Sequence, residues 1–255
     1  VAFSATWDDL SAFLLALVRA SAWIAVCPPF NSPAFNTRVK IGLAAAIALL
    51  LVPSVRDVAA PADDLWAFAG AALYQVFVGL ALGFSVYLVF IAVQVAAEIL
   101  DLQAGFSAAQ IFDPFTQAAA TPIGRFTQLL AVAVLFTING HVVLVRAFIE
   151  SFRTAPLAGP ALGDLGRLLT TDLVGLLATA LEIAAPILAT LFLTEMVLGL
   201  LTRVSPQMNV MVLGFIAKTL LVFVLVALAM PVLPNIVENL VVDAVRGIVR
   251  LTPGG

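Results

Sequence analysis

Three observations predict an all-α, polytopic membrane protein. Of 255 residues, 63% are hydrophobic and 11% are charged, where a soluble globular domain carries about 25% charged residues. Mean hydropathy is +1.14, so water is not the main solvent of this chain. The apolar runs have helical length, and none alternates in the manner of a membrane barrel strand. The expectation is about five to seven apolar helices, several of them long, irregular or re-entrant, in a single domain over 1–255.

The same composition removes several function classes. A net charge of −3 with no basic cluster offers nothing to a nucleic-acid backbone. Cys27 is the one cysteine and His141 the one histidine, which excludes an internal disulfide and a Cys- or His-built metal cage. No nucleophile–base pair, phosphate loop or metal constellation is legible, so neither enzymatic activity nor a cofactor is expected.

Leu10 to Val26 is the first apolar segment, with Asp9 as its expected cap and Pro28 and Pro29 closing it. It sits at the ~17-residue lower limit for a span and contains Arg19. A Pro- and Asn-rich linker follows and ends in Arg38 and Lys40. Ile41 to Val52 is a second, short run stopped by Pro53, after which come Asp57, Asp63 and Asp64. Those charges place the N-terminus outside by the positive-inside rule.

Trp66 to Leu100 is apolar almost throughout. At ~1.5 Å per residue it would reach roughly 52 Å as one helix, beyond a ~30 Å hydrocarbon core. It therefore tilts and projects out, or breaks near Gly79 and Gly83, whose GLALG spacing lets another helix approach closely. Ile123 to Phe152 reads as a helical region with Asn139, Gly140 and His141 in its interior. Residues 153–172 read as a Pro/Gly loop with a short amphipathic piece, and Thr171 or Asp172 caps the next helix. That helix, Leu173 to Leu201, holds Glu182, Pro186 and Glu195. A polar turn containing Pro206, Gln207, Met208 and Asn209 separates it from Val210 to Met230, which holds Lys218 and ends at Pro231 and Pro234. Residues 236–251 set charges among aliphatics at helical spacing and form a C-terminal amphipathic helix.

The chain is organised around Glu98 to Arg125. Carboxylates (Glu98, Asp101, Asp113) and amides (Gln103, Gln110, Gln117) alternate there with Phe106, Phe112 and Phe115. The stretch is too polar for a lipid-facing helix and too apolar for an exposed loop. Backbone of that kind is tolerated at membrane depth where it is buried in protein or lines a cavity. Glu98, Asp101, Glu182, Glu195 and Lys218 lie within apolar runs. Such groups mark ion or proton paths in one reading, and pair with a neighbouring subunit or cap a helix end in the other. His141 could shuttle protons, but a lone His beside Asn and Gly more often marks a helix end.

Six pieces resemble the FliR family of flagellar export-gate proteins, whose virulence-system relatives are called SctT. They are RVKIGLA at Arg38, VFVGLALGF at Val76, EILDLQAGFSAAQIFDP at Glu98, LFTINGH at Leu135, the long APILATLFLTEMVLGLLTRVSPQMNVMVLGF at Ala185, and KTL at Lys218. DLQAGFSAAQIFDP and RVSPQMN are together the most specific. The resemblance implies helices built to pack in a helical hetero-oligomer with FliP-like and FliQ-like subunits, and with an FlhB-like subunit. It implies flagellar biosynthesis or type III secretion at the bacterial inner membrane, where the assembly passes unfolded substrates. It also implies a channel plug over about residues 105–118, presenting Gly105, Phe106, Ser107, Ile111, Phe112, Asp113, Pro114 and Phe115. Phe115 departs from the small or polar residue expected there and would make a bulkier tip. Gly105 and Gly124 are candidate hinges, and the 206–209 turn would lie near the cytoplasmic entrance. The rival reading is a secondary transporter that couples its intramembrane carboxylates to an ion.

Overall fold

The computed structural model describes residues 7–32, 35–55, 65–105, 122–154, 162–204 and 210–249. Its elements are helical: α1 (Trp7–Val26), α2 (Pro28–Asn31), α3 (Thr37–Val55), α4 (Leu65–Ala104), α5 (Pro122–Thr137), α6 (Gly140–Thr154), α7 (Leu162–Val204), α8 (Val210–Ala229), a 3-10 turn (Met230–Val232) and α9 (Leu233–Val249). Among the described residues, five helical stretches are long and apolar enough to cross a membrane, and six if α5 and α6 count as one broken span.

Several expected boundaries move. α1 begins at Trp7, so Asp9 is no cap; Asp8 and Asp9 lie in the first turn, where carboxylates complement the helix dipole. Pro53 does not stop α3, which runs to Val55. A proline this close to the end of a helix removes few ladder bonds. The helix expected from Leu173 starts at Leu162 and absorbs much of the expected loop. No proline interrupts 162–185, and Thr171 and Asp172 are tolerated inside a helix although they favour caps. Conversely, the region from Ile123 to Phe152 splits into α5 and α6. Asn139 takes φ 57°, a left-handed conformation that a short polar side chain tolerates and that ends a helix. α9 starts at Leu233, three residues before the expected start, with Pro234 in its first turn.

Contacts divide the chain into two units. The first comprises Val1–Val89, Asn139–Leu173 and Asn239–Gly255. Here α3 buries Ala44, Ile47, Ala48 and Leu51, one stripe at helical spacing, and packs on α1. α4 meets α1 through its glycines. A Cβ on Gly79 would lie 2.5 Å from the Arg19 carbonyl oxygen, and one on Gly83 3.0 Å from that of Trp23. The glycines are therefore approach points, not breaks, and α4 stays helical for 40 residues. At the centre, Trp23 stacks on Phe148 at 4.5 Å, and Phe148 meets Phe152 edge-on at 5.4 Å.

The second unit comprises Phe90–Ile138 and Val174–Glu238. Its core joins Ala96, Ala97, Leu100 and Ala104 of α4 to Ile123, Ala184, Ile187, Leu191 and Val222. The alanines let helix backbones come close, the usual basis of packing where lipid supplies no hydrophobic drive. The spans differ in cover. The apolar window of α4 is 67% buried, whereas those beginning at Ala178 and Val212 are 11% buried.

Candidate functional site

Asp101, Gln103, Glu195 and Lys218 of the second unit meet at the last turns of α4 and on the helices bonded to them. α4 ends because Gly105 takes φ +89°, the left-handed geometry of a glycine just past a helix. The ring of Phe215 lies 3.3 Å from where a Gly105 side chain would begin. One turn earlier, the Asp101 carboxylate is fully buried. Its Oδ2 accepts from the backbone N–H groups of Ile123 (3.1 Å) and Gly124 (3.0 Å). These are free donors in the first turn of α5, so Asp101 acts as an N-terminal cap supplied from another helix. Hydrogen bonds to a charged group contribute about 1.5–3 kcal/mol each, and the α5 dipole adds to them. The carboxylate thereby ties the end of α4 to the start of α5, on either side of residues 106–121.

A second cluster lies on the same end of α4. Glu195 of α7 accepts from Gln103 Nε2 at 3.0 Å and from Lys218 Nζ of α8 at 2.5 Å. Half of the Glu195 side chain is exposed, and 17% of Lys218. Within one helical turn of the pair in sequence, Phe192 and Met196 on α7 and Phe215 on α8 are large apolar residues left exposed.

The other expected polar residues stand apart. Glu98 accepts from Gln94 one turn back, at 2.7 Å. Glu182 is exposed on α7, and Asn139 and His141 stand at the α5–α6 break. Glu98, Asp101 and Glu195 thus have separate partners and are not gathered into one coupled ion site. Residues 106–118 of the expected plug and the 206–209 turn lie outside the described residues; of the plug, Gly105 alone is described.

Sequence reading missed the polar knot of the first unit. Arg19 is fully buried. Its Nε donates to Gln75 Oε1 at 2.6 Å, its Nη1 to the Ser151 carbonyl at 3.1 Å, and its guanidinium lies 4.1 Å over the Phe152 ring. A lone cation in an apolar run was the available signal; its partners, 56 and 132 residues away, were not.

With this geometry in place, comparison with known proteins decides the family. The model of "Bacterial export proteins, family 1" matches residues 10–244. The chain belongs to this family. It is 32% identical over 236 residues to the flagellar biosynthetic protein FliR of Escherichia coli K12, covering 91% of this chain and 88% of that protein. FliR of Bacillus subtilis is 30% identical over 255 residues, with 96% of each chain covered. The Yop proteins translocation protein T of Yersinia pestis is 26% identical over 216 residues, with 82% of each covered. As a family 1 export protein, the chain is an inner-membrane component of a bacterial export apparatus and not an enzyme.

Proposed function

We propose that this chain is a channel-forming core subunit of a type III protein export gate. It passes unfolded substrates across the inner membrane and is sealed at rest by its own apolar loop, with Phe106, Ile111, Phe112 and Phe115 as the seal. The whole chain acts as one FliR-like membrane domain. Its partners are FliP-like and FliQ-like subunits and an FlhB-like subunit. The observation that carries the partner reading is the Glu195–Lys218 pair, half exposed at Glu195, on α7 and α8, two helices that bury little of themselves within the chain. An ion costs at least ~2.5 kcal/mol at the centre of a lipid-facing helix, so protein is the better neighbour for that face. The seal reading draws support from Asp101, which holds together the ends from which the 106–121 connection leaves and returns. A constriction of apolar side chains stops ions by dewetting.

Two measurements test this. Co-expression with the FliP-like and FliQ-like neighbours should yield one large complex by native mass in mild detergent. A stable monomer indifferent to both neighbours would sink the subunit reading. Within the assembled complex, deleting residues 106–115 should let small ions leak across the membrane. An assembled, ion-tight deletion variant would remove the seal and leave the subunit reading intact.

A further inference from the structure

α5 opens on Pro122, which has no N–H to offer. Of its first three residues, only Ile123 and Gly124 present donors, and a helix cannot pair these itself. Both go to one oxygen, Asp101 Oδ2. The cap thus comes from 22 and 23 residues back in the sequence, and it is closed off. Asp101, Ile123 and the flanking Leu100 and Ala104 are at most 6% exposed, so bulk water does not stand ready to replace the carboxylate. Breaking such a set leaves buried donors unsatisfied, which costs more than the bonds contribute when made.

The two ends joined here differ in their other ties. On the α4 side, Gln103 donates to Glu195 of α7, and Gly105 backs onto the Phe215 ring of α8. On the α5 side, the next residues, Arg125 and Phe126, are exposed. We propose that Asp101 is a positioning residue for the seal: it fixes where α5 begins relative to the end of α4, and so sets the points from which residues 106–121 leave and return. This rests on the seal proposed above and adds a residue outside it that decides whether it closes. The direction follows from the unequal ties. Without the carboxylate, α4 keeps its hold on α7 and α8, and the start of α5 is the end that loosens. An amide is a weaker substitute, because the carboxylate charge also complements the α5 dipole.

The test uses the assembled export complex in potassium-loaded vesicles, with amide hydrogen exchange on the same preparation. Asp101→Ala should raise exchange in the first turn of α5 by about tenfold or more, equivalent to ~1.4 kcal/mol, and leave the last turn of α4 unchanged. Potassium efflux should rise toward that of the 106–115 deletion. Asp101→Asn keeps the shape and an acceptor without the charge. It should leak less than Asp101→Ala, and it decides the matter if the alanine variant does not assemble. Gly79→Ala strains the contact of α4 with α1 in the first unit and should stay ion-tight. The inference is overturned if the Asp101 variants remain ion-tight while the deletion leaks, or if exchange at α5 is unchanged. It is also overturned if Gly79→Ala leaks as much, since any loosening would then open the complex. A deletion complex that is itself ion-tight removes the seal, and this role with it.

Discussion

Arg19 shows how much one side chain can organise. The cation is tolerated in an apolar helix because Gln75, the Ser151 carbonyl and the Phe152 ring replace water around it. Truncating one member of such a set strands the others. Arg19→Ala should therefore destabilise the folded chain by about 3–5 kcal/mol, read as a lower unfolding midpoint in detergent. Arg19→Lys should recover only part of this, since an ammonium lacks the planar fork that reaches Gln75 and Ser151 together. Cys27, just past the end of α1, gives a pH-dependent counterpart. Burial pushes its thiol well above the usual range, so the thiolate that reacts with alkylating agents is scarce. Maleimide at pH 8 should leave Cys27 unmodified in the folded protein and modify it after denaturation. Rapid labelling of the folded chain would contradict its burial. That Arg19 was unusual was legible from composition along the helix. That it is satisfied within the chain was not, because its partners come from α4 and α6.

At the scale of the element, two glycines make opposite predictions. Nothing lies within 4 Å of a Cβ placed on Gly42 in α3, whereas one on Gly79 in α4 meets the α1 backbone at 2.5 Å. Gly42→Ala should stabilise by about 0.5–1 kcal/mol, the helix-interior cost of glycine. Gly79→Ala should destabilise by about 1–3 kcal/mol, since α1 must move off α4. Thermal midpoints of the two variants should shift in opposite directions; a shared direction would mean that α1 and α4 do not touch there. The GLALG spacing made this contact legible, though not which helix would fill it. The α5–α6 break was harder to place, because Asn139 and Gly140 within an apolar run permit either a continuous helix or an end. α7 starts earlier than its cap signal for a related reason: the cap residues at 171 and 172 compete with helix continuation, and continuation prevails.

For the whole molecule, the α7 and α8 spans bury little of themselves within the chain, and the proposed assembly covers them with partner subunits. The Glu195–Lys218 pair on them would contribute only ~0–1 kcal/mol in water; against a partner helix its loss should cost more. On the proposed assembly, Glu195→Gln and Lys218→Met should each reduce recovery of the chain with FliP-like and FliQ-like subunits. The double variant should be less damaging than the sum of the two, because it strands no charge. Additive losses in pull-down yield would mean that the two residues act independently.

What the amino-acid sequence determined by itself was the solvent and the class. An apolar chain with few charges and helical-length runs has to be an all-α membrane protein, because lipid cannot satisfy the backbone of any other open structure. The motifs from Arg38 to Lys218 were enough to point to the export family, since spacing along a chain survives as a pattern without coordinates. The tertiary structure alone decided where the polar groups go. Asp101 and Glu195 could equally have faced a channel, a partner or each other, and hydropathy assigns the same expense to all three. The choice rests on backbone donors at the start of α5 and on Lys218 in α8. Both reach the carboxylates across the fold, through contacts that no local pattern encodes.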